Sequence, residues 1–171
     1  MARALPLRSA AALALLASSC ATSPAPPGGA PRYIPSLELE SVGPVRVGEG
    51  ALYGRVLLVN FMATWCFPCV QELPALVELQ RRYGGRDFTV VLVGMDLEGA
   101  QVLEPFARYY ELPFPLLVAG DAIRGGQSPF GPLEALPTSF LIGKDGELLA
   151  GIRGVPPVED LRRHVEAALH P

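Results

Sequence analysis

Cys66 and Cys69, in the stretch FMATWCFPC (61–69), are two of only three cysteines in a chain of 171 residues. At the start of a helix, spacing i, i+3 lets two such side chains approach closely enough to close a disulfide. The unpaired N–H groups and the positive end of that helix also favour a thiolate, lowering a thiol from its usual value of about 8.5. Pro68 suits a first helical turn, where no N–H is needed, and it stiffens the loop. Trp65 stands in front of the pair, placed to cover one side of it. The chemistry this arrangement supports is reversible dithiol–disulfide exchange. Cys66, first in the motif, is expected to be the exposed attacking thiol, and Cys69, one turn inside, the resolving one. Three other readings remain open: half of a zinc site, a structural disulfide and a peroxide-reducing thiol. Against them, there is no second cysteine pair, and His164 and His170 lie far away in sequence. A two-residue loop constrains the unfolded chain little, and the Thr and Pro that precede a peroxide-reducing cysteine are absent. The pattern requires no cofactor or metal.

The elements that must hold the pair follow an α/β pattern. VLLVNF (56–61) and FTVVLVGM (88–95) are continuous apolar runs, as expected of strands buried on both faces. Between them the cysteines open a helix to about Tyr83, with Val70, Leu73, Leu76 and Val77 on one side and Pro74 expected to kink it. Residues 100–111 read as a second helix and 114–119 as a shorter strand. TSFLI (138–142) and ELLAGI (147–152) flank Lys144-Asp145-Gly146 as an antiparallel hairpin, and 157–169 reads as a last helix. Upstream, LELESVGPVRV suggests a short hairpin turning at Gly43-Pro44.

The N-terminus reads as an address. Arg3 and Arg8 precede an apolar run from Ala10 to Ala17, far short of the roughly 20 residues a membrane span needs. LLASSC resembles a bacterial lipoprotein box, which implies a signal over 1–19 and lipidation of Cys20; the alternative is an ordinary cleaved signal with Cys20 incidental. ATSPAPPGGAP, within 20–32, has the composition of a flexible tether, leaving 33–171 as the folded domain. An anchored, extracytoplasmic placement follows, with Ala21 after the cysteine leaning towards an outer membrane. There disulfides persist. The net charge of −3, with scattered arginines, argues against nucleic-acid binding.

VNFMATWCFPC, VQELPAL, LPFPLLV, LPTSFLI and KDGEL, in this order, resemble the thioredoxin-like TlpA/ResA group of membrane-tethered bacterial disulfide reductases. The resemblance covers roughly Leu37 to Leu169. It implies a thioredoxin-like fold, a central mixed β-sheet flanked by helices, here with the N-terminal hairpin as an extension. It also implies a role for Glu72, three residues beyond Cys69 in the group's C-x-x-E-x-P pattern: buried, with a raised pKa, and trading a proton with Cys69. The other reading of Glu72 is a solvated helix position. Asn60 stands where thioredoxin has a buried aspartate. Pro137 is implied to be a cis-proline opposite the cysteines, with Leu136 beside it offering backbone to an incoming client; the alternative is a trans proline opening a strand. GDAIRGGQSPFGPLEA, before Pro137, is looser than the short helix usual in the group. The implied function is an extracytoplasmic thiol:disulfide oxidoreductase that reduces exported clients, such as apocytochromes c or copper-site proteins, with electrons from a membrane thiol donor. The alternatives are a disulfide-introducing oxidant and a copper-binding lipoprotein.

Overall fold

A computed structural model describes Met1, residues 33–85 and residues 87–170. The leader, Cys20 and the tether lie outside the described residues. Six strands form one mixed sheet: β1 (Ser41–Val42), β2 (Val56–Met62), β3 (Phe88–Gly94), β4 (Leu116–Val118), β5 (Thr138–Ile142) and β6 (Leu148–Arg153), in the order β1-β4-β3-β2-β5-β6. Strands β2, β3 and β4 run parallel, while β1 pairs antiparallel with β4, and β5 with both β2 and β6. The helices are α1 (Phe67–Tyr83), α2 (Ala100–Tyr109), the single turn α3 (Asp121–Arg124) and α4 (Val158–Leu169).

The continuous apolar runs occupy the middle of the sheet because both of its faces are covered. Every residue of β2 and β3 is buried. Alternate side chains of β2 point to opposite layers. Val56, Leu58 and Met62 join Leu73, Leu76 and Leu79 of α1, Leu103 of α2 and Leu161 and Val165 of α4. Leu57, Val59 and Phe61 pack instead with Ile34, Leu37, Ile123 and Phe130. Asn60 falls in the helix-facing set, so the alternation sends one amide into a mostly apolar layer, where it meets Glu72 and Ser139. Helix α2 can lie tight on the end of β3 because position 94 is glycine: a Cβ there would come within 2.4 Å of a Leu103 methyl.

The expected N-terminal hairpin does not form. Ser41–Val42 pairs with Leu116–Leu117 of β4, and residues 44–55 form no strand. Two residues suffice for this edge because Glu104 of α2 holds the turn that follows, accepting from the Gly43 N–H at 2.6 Å and pairing with Arg46 at 2.9 Å. The segment before Pro137 is also more ordered than its composition suggests. It contains α3, and Phe130, 7% exposed, is anchored among Phe61, Phe140 and Tyr33 with ring centroids 4.9–5.2 Å apart.

Candidate redox site

The dithiol lies where β2 hands over to α1. Cys66 is the N-cap of α1, in extended backbone, and Pro68 occupies the first turn. Cys66 and Cys69 form a disulfide, with Cα atoms 5.3 Å apart. The Cys69 N–H donates to Cys66 Sγ at 3.3 Å, so the sulfur takes the place of the oxygen that usually caps a helix. In the reduced protein the same N–H and the helix terminus would favour a Cys66 thiolate. The order of the motif suggested an exposed Cys66. It is instead nearly covered, at 6% exposure against 2% for Cys69, because it joins the buried cluster that holds Ala63, Cys69 and Leu73.

Access comes from one side. A groove of about 490 Å³ is walled by Trp65, Cys66, Phe67 and Pro68 on one side and by Leu133, Glu134, Ala135 and Leu136 on the other. Cys66 lines it and Cys69 does not. Trp65 and Phe67 are 72% and 70% exposed, so Trp65 borders the groove rather than capping the pair. The Leu136–Pro137 peptide is cis. The Ala135 carbonyl accepts from Thr138 Oγ1 at 2.7 Å, and the Pro137 carbonyl from the Gly154 N–H at 2.8 Å. These bonds fix the wall facing Cys66.

Glu72 is not a solvated helix glutamate. It is 1% exposed, and its Oε2 accepts from Asn60 Nδ2 at 2.9 Å. Its Oε1 is buried without a hydrogen-bond partner among the described residues. Burial pushes its pKa up from 4.5 to about 7, against the smaller lowering effect of the Asn60 bond. The helical repeat puts Glu72 one turn beyond Cys69 on the same buried side. The site thus holds a carboxyl able to gain or lose a proton near neutrality.

Two features were missed in the sequence. Ser139 accepts a second bond from Asn60 Nδ2, at 2.8 Å. Asp96, 1% exposed, accepts from both the backbone N–H and the Oγ1 of Thr64, and so ties the turn before Trp65 and Cys66 to the end of β3. Thr64 and Asp96 are 32 residues apart. The only available signal was that each ends a buried strand run, and pairing the two ends requires knowing that β2 and β3 are neighbours. Asp96→Ala should leave the Thr64 N–H short of an acceptor and cost about 1–2 kcal/mol, measurable as a lower denaturant midpoint with an unchanged slope. His164 lies away from the site, its Nδ1 2.7 Å from the Asp160 carbonyl within α4.

A parallel-centred sheet carrying a Cys-x-x-Cys disulfide at a helix N-terminus defines a thioredoxin-like dithiol protein. More specifically, the chain belongs to the AhpC/TSA family, which residues 32–150 match. It is 35% identical over 117 residues to a thiol-disulfide oxidoreductase ResA of Bacillus cereus, an alignment covering 67% of this chain and 64% of that protein. It is also 35% identical over 115 residues to ResA of Geobacillus kaustophilus, covering 67% and 63%. The chain therefore spans just under two thirds of the length of these relatives. Among solved structures, a thiol:disulfide interchange protein of the thioredoxin family from Chlorobium tepidum TLS superposes with a TM-score of 0.62 at 31% identity, covering 72% of this chain and 86% of that one.

Proposed function

We propose that the protein is an extracytoplasmic thiol:disulfide oxidoreductase that reduces disulfides in exported client proteins. The observation that carries this reading is the Cys66–Cys69 disulfide at the head of α1, with Cys66 alone opening on the groove. Likeness to proteins named thiol-disulfide oxidoreductase supports it. In the forward direction the Cys66 thiolate attacks one sulfur of a client disulfide. That S–S bond breaks, a Cys66–client disulfide forms, and the released client thiolate takes up a proton. Cys69, giving its proton to Glu72, then attacks Cys66 Sγ, closes the Cys66–Cys69 bond and expels the second client thiolate. Two electrons pass to the client, and a membrane dithiol donor restores the reduced pair. Trp65, Pro68 and Leu136 line the groove by which the client reaches Cys66, and Pro137 follows Leu136 in the chain.

Clients of this chemistry include apocytochromes c before haem attachment and proteins awaiting copper. The direction of flow is set by potential, which in Cys-x-x-Cys proteins spans about −270 to −120 mV. Measured by equilibration with glutathione, a potential near the reducing end is expected; a value near the oxidising end would make the protein an oxidant instead. Placement outside the cytoplasm rests on the 1–19 leader, with Cys20 as the lipid-bearing residue and 20–32 as the tether to a domain beginning at 33. Cys20→Ser should convert a membrane-bound lipoprotein into a precursor or a released soluble form. Unchanged mobility and membrane association in that variant would refute the anchor.

A further inference from the structure

The side-chain amide of Asn60 is shared. Its two N–H groups go to different acceptors, Glu72 Oε2 on α1 at 2.9 Å and Ser139 Oγ on β5 at 2.8 Å. Asn60 and Ser139 are directly opposed in the β2–β5 ladder, so both side chains leave the sheet on the same face. All three residues are buried, with Ser139 at 0% and the other two at 1% exposure. Solvent therefore cannot easily replace any of these bonds.

An amide can present either of two edges. With the N–H edge towards Glu72, it donates to a carboxylate and favours the ionised form. With the C=O edge there, only a protonated carboxyl can satisfy it. The edge presented thus matches one protonation state of Glu72. We propose that Ser139 is a positioning residue for the redox reaction: its bond to Asn60 across the ladder anchors that amide against Glu72 and so governs when the carboxyl holds its proton.

No charged side chain among the described residues contributes to the titration of Glu72, and Cys66 and Cys69 share its helix. Among the described residues Asn60, from β2, is the one polar group bonded to it, and Ser139 from β5 is the second anchor of that group. Removing the hydroxyl takes away the second anchor of the amide, and its bond to Glu72, which lowers the carboxyl's pKa, weakens. The carboxyl would then hold its proton to higher pH, and its capacity to accept one from Cys69 would appear only at more alkaline pH. The inference rests on the reading of Glu72 as proton partner of the dithiol.

The test is a carboxyl-¹³C NMR titration of the oxidised protein, which requires no turnover. In Ser139→Ala the Glu72 midpoint should rise by about one pH unit, and Ser139→Thr, which restores a hydroxyl, should return it. A lower melting temperature with an unmoved midpoint would make Ser139 a packing residue only and overturn the proposal. Should Ser139→Ala fail to fold, the wild type decides: the Asn60 side-chain ¹⁵N and ¹H shifts should titrate with the Glu72 midpoint, and shifts constant through that range would overturn it. Insulin reduction by the wild type, run in parallel, tests the redox reading separately. An inactive wild type with the predicted midpoint change would sink that reading, and with it the redox role of Ser139, leaving only its hold on the Asn60–Glu72 pair.

Discussion

Cys69→Ser, expressed in the exported form, should accumulate disulfide-linked adducts with other proteins, and Cys66→Ser should not. The expectation rests on the asymmetry of the pair. Cys66 lines the groove and caps α1, and its sulfur receives the Cys69 N–H. Those features make it the more acidic and more reachable thiol. Cys69 lies within the helix at 2% exposure and is absent from the groove lining. It can reach Cys66, with Cα atoms 5.3 Å apart, but it is poorly placed to meet a client. Without it the mixed disulfide formed by Cys66 has no built-in exit. Turnover in both single variants should fall on the order of 10³-fold or more, because a held neighbouring thiol acts at an effective concentration far above that of any free one. Non-reducing gels and mass spectrometry would read the adducts and identify the clients. Equal trapping by both variants would reverse or abolish the assigned order. An absence of adducts in either, with no turnover in the wild type, would refute the oxidoreductase reading.

The second large effect belongs to Glu72→Gln and appears in the pH dependence of stability. Folding raises the Glu72 pKa from 4.5 to about 7. Between those values the folded protein binds a proton at this site that the unfolded chain has released. The stabilisation from this group is therefore fully present below about 4.5, is lost as pH rises through about 7, and stays lost above. The expected fall is roughly 3 kcal/mol, at about 1.36 kcal/mol per pKa unit. Glutamine keeps the shape and the acceptor for Asn60 but cannot ionise, so the variant should lack this fall. Glu104 and Glu166 have lowered pKa values, held by the Gly43 N–H and by Tyr83 respectively. Their contributions run the other way but are common to both proteins, so the difference curve isolates Glu72. Urea unfolding of the oxidised proteins from about pH 4 to 8, spanning the ordinary and the raised value, would supply it. Parallel curves would show that Glu72 carries no shifted proton.

The elements around the site were legible because their signals are local. Unbroken apolar runs specify strands buried on both faces, and helical spacing of Leu73 and Leu76 specifies the inner side of α1. Lys144-Asp145-Gly146 specifies a turn, and Gly146 indeed has φ +83°. The dithiol was legible for the same reason, since Cys66, Pro68 and Cys69 lie within one helical turn. Where pairing reaches across the chain, local pattern was a poor guide. Gly43-Pro44 looks like a hairpin turn, yet the strand before it finds its partner far along the chain in β4, where Ser41 pairs with Leu117. Segment 120–135 has the composition of a loose loop, yet Phe130 finds an aromatic pocket only once β2 and β5 are side by side.

By itself the sequence determined the sheet-forming segments, the helix carrying the pair and the presence of an exchangeable disulfide, because each depends on residues within a few positions of one another. The tertiary structure alone decided how little of Cys66 is exposed, that Thr64 is tied to Asp96, and that Glu72 meets an amide anchored on Ser139. Burial and hydrogen bonding at those positions depend on how α1, β2, β3 and β5 pack together. A side chain's solvation, and with it the pH at which it gives up a proton, is a property of that packing and not of its neighbours in the chain.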